Sequence, residues 1–175
     1  PRYKVLCTRE YQNSIDDSVH GMLKAFVDQY QFPFEVQNTV INTPSGGYFK
    51  FFGLSRNVNS IKSKFDYNVV WVEEAEDIKE STWDLLIPTI RKTNSEIWAS
   101  FNPADEASAT YQLFVKPYLA QIKQHGFYED DQIYVGMVNY DDNPFFPAEL
   151  RQHSEQLKQT NFKKWLHVYG GEPNM

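Results

Sequence analysis

The sequence is poor in cysteine and has no long apolar run, and both absences limit the class of protein. Cys7 is the single cysteine, so no disulfide can form within the chain. It lies in an apolar run, where we expect a buried small side chain rather than a nucleophile. No stretch of about 18 apolar residues is present, so no membrane-spanning helix is expected. We see no signal-peptide pattern, and we predict a reducing cytoplasm.

Positive charge is also scarce. Lysine and arginine total 17 against 23 aspartates and glutamates, which gives a net charge of -6. This balance argues against a domain that coats nucleic acid through a broad basic face, but it allows a motor that grips DNA with a few local groups or through a partner. The hydrophobic fraction of 41% is ordinary for a globular protein. The length fits one domain with a sizeable core.

Apolar runs of strand length alternate with segments of helical periodicity. We predict strands at 3–8, 34–41, 48–52, 69–72, 97–101 and 133–138. We predict a helix at 15–30 that begins with a Ser14–Asp17 capping box, and a second helix at 83–90. Residues 111–119 are predicted to be helical up to Pro117. Two further helices are predicted between 147 and 169. Residues 43–47 have the composition of a turn. This alternation predicts an α/β fold with a mainly parallel sheet flanked by helices.

Two carboxylates, Glu73 and Glu74, follow the apolar run Val69–Val72 directly. Ligands of open α/β sheets bind beyond the carboxyl ends of the strands, where these side chains would lie. One carboxylate can hold Mg²⁺, directly or through water. The second can orient and deprotonate an attacking water. The isolated string EEAE is equally typical of the acidic first turn of a helix.

Two other strand ends carry polar candidates. Ser100 and Asn102 close the strand at 97–101, and Pro103 would end it, so Asn102 would project an amide into the same crevice. A turn residue before proline is the alternative for Asn102. Arg9 follows the first strand and is a candidate contact for a γ-phosphate, with an ordinary ion pair as the alternative. The further arginine candidates are Arg56 and Arg91.

Five segments in order carry a resemblance to a known family. They are VVWVEEAE, WDLLIPTIRK, EIWASFNP, NYDDNPFFP and GEP. Together they resemble the large terminase subunit of tailed bacteriophages, most closely the branch found in phages related to P22 and Sf6. The resemblance covers nearly the whole chain. It implies a P-loop NTPase fold of the ASCE, RecA-like type.

The resemblance also implies roles for individual residues. Glu73 takes the position that holds Mg²⁺, where the general Walker B motif prefers Asp but related terminases accept Glu. Glu74 takes the position of the catalytic carboxylate. Ser100 and Asn102 match the coupling motif that senses the nucleotide. The implied cofactors are therefore ATP and Mg²⁺.

A packaging motor is the implied function. The ATPase would couple ATP hydrolysis to translocation of double-stranded DNA into a procapsid. The implied partners are that DNA, the small terminase subunit, the portal protein and a C-terminal nuclease domain of the same protein, with no membrane. The implied location is the host bacterial cytoplasm and, transiently, the portal vertex. A helicase-like ATPase and a non-catalytic prophage remnant or interaction module remain as alternatives.

The phosphate-binding motif of such an ATPase, G-x-x-x-x-G-K-[ST], does not occur in these residues. Neither Gly46–Gly47 nor Gly170–Gly171 is followed by Lys-Ser or Lys-Thr. We expect the motif about one helix length before Pro1, and we expect the 175 residues alone to be inactive. Without the P-loop strand, the strands at 97–101 and 133–138 would lose a shared neighbour and leave an unpaired edge. We divide the chain into a partial ATPase core, 1–140, and a helical lid and linker, 141–175.

Other polar residues are given structural interpretations. Asp141 and Asp142 form a metal-binding pair or, as we prefer, a turn and cap. The four histidines have no metal-ligand spacing with cysteine or acids. Lys62-Ser63-Lys64 contacts the DNA backbone or a nucleotide or, as we prefer, lies in a solvated loop.

Overall fold

A computed structural model describes residues 2–11, 19–55, 60, 62–63 and 66–173. It divides into two compact units, Pro1–Phe101 and Asn102–Met175. The predicted capping box at Ser14 lies outside the described residues, as do Arg56 and Lys64.

The first unit is built on a six-stranded sheet. Its strands are β1 Lys4–Arg9, β2 Glu35–Val36, β3 Val40–Asn42, β4 Tyr48–Gly53, β5 Val69–Glu73 and β6 Glu96–Ser100. Their order is β2-β3-β4-β1-β5-β6. Strands β4, β1, β5 and β6 run parallel, while β3 is antiparallel to both of its neighbours. The prediction of a mainly parallel sheet is confirmed.

The predicted strand at 34–41 is two short strands instead. Val36 pairs with Ile41 across an antiparallel connection, and the Gln37 amide donates to the Val40 carbonyl at 2.9 Å. These local hydrogen bonds reverse the chain where apolar content alone suggested continuity. The predicted turn at 43–47 is present. Gly46 has φ +81, a conformation that glycine adopts without steric cost.

The core of the first unit lies at the centre of the sheet. Leu6 and Cys7 of β1 and Val70 and Val72 of β5 are fully buried, as expected for parallel strands covered on both faces. Burial raises the pKa of the Cys7 thiol to about 12. The thiol therefore stays protonated at neutral pH, which agrees with the predicted structural role of this residue.

Among the described residues of the first unit, the longer helices are α1 Gly21–Tyr30 and α2 Glu80–Thr89. Helix α2 buries Trp83 and Leu86 completely, and their spacing of three residues gives the helix one apolar face. The helix ends at Thr89, one residue after Pro88 and one residue before the end predicted for the helix at 83–90.

Strand β6 is the outermost strand of the sheet. Within the described ranges it pairs with β5 alone. Four of its five residues are exposed, including Trp98 at 55%. The unpaired side predicted for this strand is therefore present in the structure.

In its described residues, the second unit contains four α-helices and a small hairpin. Its elements are α3 Ala109–Phe114, α4 Leu119–His125, β7 Phe127–Glu129, β8 Tyr134–Gly136, α5 Ala148–Thr160 and α6 Phe162–Val168. The two helices predicted between 147 and 169 are confirmed. So is the capping role of Asp142, whose carboxylate accepts from the Asn139 amide at 2.7 Å. Among the described residues, no helix is long and apolar enough to cross a membrane.

Two predicted elements of this unit differ in the structure. The strand predicted at 133–138 is the shorter β8, Tyr134–Gly136, and it pairs with β7 in a separate antiparallel sheet. The Asp130 carboxylate accepts from the amides of Gln132 and Ile133 and fixes the turn of this hairpin. The chain also stays helical past Pro117, through a 3-10 turn into α4, because proline is tolerated in a first helical turn.

Candidate active site at the ends of β1 and β5

The central strands β1 and β5 end side by side. They run parallel with Thr8 opposite Val72. Arg9 therefore emerges at the same edge of the sheet as Glu73, which follows Val72. This edge is the position where open α/β sheets place their ligands.

Arg9 forms ion pairs with both carboxylates that the sequence singled out. Its Nε contacts the Glu73 carboxylate, and a terminal guanidinium nitrogen contacts Glu74. The Arg9 side chain is only 8% exposed, while those of Glu73 and Glu74 are 25% and 50% exposed. The structure thus brings the three predicted side chains together, with the cation inside and the carboxylates facing outward. An ion pair, one of the two interpretations of Arg9, is present.

Glu74 adopts an unusual backbone conformation. Its φ of 50 and ψ of 50 are left-handed, which costs a non-glycine residue on the order of 1–3 kcal/mol. The kink turns the chain sharply from β5 into a 3-10 turn at Ala75–Asp77. Glu76 and Asp77 occupy the acidic first turn that was the alternative for this string, whereas Glu73 and Glu74 face Arg9.

A third carboxylate, Glu10, joins the site and was missed from the sequence. It is 4% exposed, and its Oε2 has no hydrogen-bond partner within the described part of the chain. Burial raises the pKa of Glu10, and the nearby Lys79 opposes this shift. Glu10 lines a small recess together with Arg9, Tyr11, Glu74 and Asp77. The available signal was that polar residues follow the apolar run of β1 just as they follow β5.

Strand β6 brings Ser100 beside the first carboxylate. Ser100 is the register partner of Glu73, and its Oγ accepts a hydrogen bond from the Trp71 indole at 2.9 Å. Asn102, the other predicted coupling residue, is exposed and belongs to the second unit.

The chemistry of the donors fits a magnesium ion only with help from a substrate. In the part of the chain that the structure describes, no three His, Cys, Asp or Glu side chains could hold a metal ion by themselves. Mg²⁺ is usually bound by one or two carboxylates, with waters and substrate phosphates completing its shell. Glu73 and Glu74 match the protein part of that set.

The mainly parallel sheet flanked by helices matches the P-loop NTPase fold of terminase ATPase domains. The family model for the phage terminase large subunit matches residues 1–172. The chain belongs to this family. A comparison with curated protein sequences gives no match.

Solved structures of packaging proteins share the fold. The large terminase of a thermophilic bacteriophage, in complex with ADP, is similar with a TM-score of 0.69 and 14% identity, over 98% of this chain and 40% of that one. A mutant ATPase domain of the Thermus phage P74-26 large terminase gives 0.61 and 14%, over 98% and 77%. The N-terminal domain of the bacteriophage phi29 DNA packaging ATPase gives 0.51 and 13%, over 82% and 77%. This chain thus spans 40% of the length of the first of these proteins.

Proposed function

We propose that this chain is part of the ATPase motor of a phage or prophage terminase large subunit, coupling ATP hydrolysis to translocation of double-stranded DNA into a procapsid. The observation that carries the proposal is the cluster of Arg9, Glu73 and Glu74 at the strand ends of a family member. The structures of the thermophilic-bacteriophage terminase with ADP and with ATP-γ-S support a nucleotide as the ligand.

The two carboxylates divide the work of hydrolysis in this proposal. Glu73, the less exposed, holds Mg²⁺ directly or through water, and bound Mg²⁺ neutralises charge on the phosphates. Glu74, half exposed and turned by its left-handed backbone, orients the attacking water and accepts its proton. Arg9 holds both carboxylates in place, and contact of its guanidinium with a phosphate is the second role we propose.

Coupling to the rest of the motor follows β6 in this proposal. Ser100 lies opposite Glu73 and is hydrogen-bonded to Trp71 of β5. A displacement of Glu73 on nucleotide binding would therefore also displace Ser100. Asn102, two residues later, is the first residue of the second unit, and we propose that residues 100–102 transmit the nucleotide state to it.

In this proposal, the phosphate-binding loop belongs to another part of the parent protein. These residues contain no G-x-x-x-x-G-K-[ST] motif, and β6 has an unpaired edge. We propose that a P-loop strand of the parent pairs with that edge. Its loop would supply the backbone amides and the lysine that hold the phosphates, and the 175 residues alone would not hydrolyse ATP.

Other domains, partners and the location are proposed from the family rather than from the geometry of the site. We propose a C-terminal nuclease domain in the parent, contacts with the small terminase subunit and the portal protein, and a location in the host bacterial cytoplasm and at the portal vertex. We also propose the branch of phages related to P22 and Sf6. The functional division into a core at 1–140 and a lid and linker at 141–175 is likewise a proposal.

An encapsidation assay tests the motor function. Purified parent protein, procapsids carrying the portal, and linear duplex DNA are incubated with ATP or without it, and nuclease-protected DNA is measured. We expect protected DNA only when ATP and procapsids are both present. ATP turnover that is stimulated by single-stranded nucleic acid, with no protected DNA, would show a helicase-like ATPase instead.

A further inference from the structure

In the second unit, a stretch of sixteen residues carries positive charge that is not balanced by acids. Residues 156–171 contain three lysines, Lys158, Lys163 and Lys164, and no aspartate or glutamate, although the whole chain carries a net charge of -6. The stretch covers the end of α5 and all of α6. All three lysines are exposed. The acidic chain thus has a local positive surface in its second unit.

The lysines surround a fixed aromatic pair. The Trp165 indole donates to the Ser154 Oγ at 2.9 Å, and Ser154 is only 1% exposed, so the ring is held against α5. Lys158 Nζ lies 4.2 Å from the centre of the Trp165 ring. Phe162 stacks on Trp165 at 5.6 Å and is 53% exposed. We define Lys158, Phe162, Lys163, Lys164 and Trp165 as the basic patch.

The charges of the basic patch are available to a partner. Across the described ranges, no carboxylate forms an ion pair with any of its three lysines, whereas Lys4 and Arg151 each have an acidic partner. Glu155 is the nearest acid in sequence and precedes the stretch. Exposed lysines that form no ion pair among the described residues keep their attraction for a polyanion.

We propose that the basic patch binds the phosphate backbone of duplex DNA without reading its sequence. The choice of duplex DNA rests on the proposed motor function. Lysine acts as a point charge toward phosphate, and release of condensed counterions supplies the affinity. Single-stranded nucleic acid fits less well, because it needs several free ring faces in succession. Here Lys158 and Phe162 already pack against Trp165.

The test measures the salt dependence of DNA binding by fluorescence anisotropy. The 175-residue chain is titrated without nucleotide into a labelled duplex of random sequence, between about 50 and 200 mM salt. For K163Q/K164Q we expect binding weaker by about tenfold, and a slope of log affinity against log salt that is lower by about 2, roughly one for each lost phosphate contact. The lysine-to-glutamine changes are on the surface, and an unchanged far-ultraviolet circular dichroism spectrum verifies the fold.

The matched control is K24Q/K123Q, which removes two exposed helical lysines outside the basic patch. We expect this variant to keep the affinity and the slope of the unmodified chain. Three outcomes would each overturn the proposal. The first is an equal loss of affinity in both variants, and the second is no binding by the unmodified chain at the lowest salt concentration. The third is tighter binding of a single strand, lost in Phe162→Ala. Nucleotide-free binding does not depend on ATP turnover, so its failure is distinguishable from failure of the proposed ATPase.

Discussion

Replacing Glu74 by Gln in the longer parent protein is expected to abolish most ATP hydrolysis while leaving ATP binding intact. Loss of a general base lowers a rate by about 10² to 10⁴-fold. Glutamine keeps the size of the side chain and tolerates the left-handed backbone about as well as glutamate, so the turn after β5 should survive. Single-turnover hydrolysis and equilibrium binding of a labelled nucleotide give the two quantities separately.

Glu80→Gln is the control for this substitution. Glu80 is an exposed glutamate that begins α2, six residues after Glu74. We expect its replacement to leave the hydrolysis rate unchanged. A Glu74→Gln variant that hydrolyses ATP at the normal rate would refute the catalytic assignment. Loss of nucleotide binding as well would indicate a structural role for Glu74.

Replacing Arg9 by Gln is expected to have the second-largest effect. Its buried guanidinium pairs with both Glu73 and Glu74, so its removal leaves two adjacent carboxylates without their counter-charge. A misplaced catalytic group costs on the order of tenfold to a hundredfold. If Arg9 acts by positioning Glu74, kcat falls while KM for ATP stays nearly constant. Steady-state kinetics of the parent protein measure both constants.

Contact of Arg9 with a phosphate gives a different signature. In that case KM for ATP rises and the preference for ATP over ADP falls, because the guanidinium then contributes to binding of the γ-phosphate. Arg151→Gln is the control, since Arg151 pairs with Asp141 at 3.2 Å on the exposed surface of the second unit. Unchanged kcat and KM in the Arg9 variant would show that Arg9 has no role in ATP binding or hydrolysis.

Strands of the sheet could be predicted from the sequence where both of their faces are buried. Strand β5 is a continuous apolar run because both of its faces are covered, and this made Val69–Val72 recognisable. The hairpin at β7 and β8 could not be assigned from composition, because hydrogen bonds to Asp130 decide where that chain reverses. Strand β8 therefore pairs locally instead of joining the main sheet.

The site was predictable as a set of residue types and not as a set of contacts. Carboxylates after a buried strand pointed to Glu73 and Glu74. The double ion pair of Arg9 depends on β1 lying next to β5, although the two strands are far apart in sequence. The burial of Glu10 also depends on the pairing of β1 with β5, which a local sequence pattern does not indicate.

The most direct measurement of the central claim compares ATP turnover by the 175-residue chain with turnover by the longer parent protein under the same conditions. The account predicts turnover by the parent that is lost in Glu74→Gln, and none above background by the chain alone, because these residues contain no G-x-x-x-x-G-K-[ST] motif. Turnover by the pure chain at the rate of the parent would contradict it, as would a parent protein that does not hydrolyse ATP.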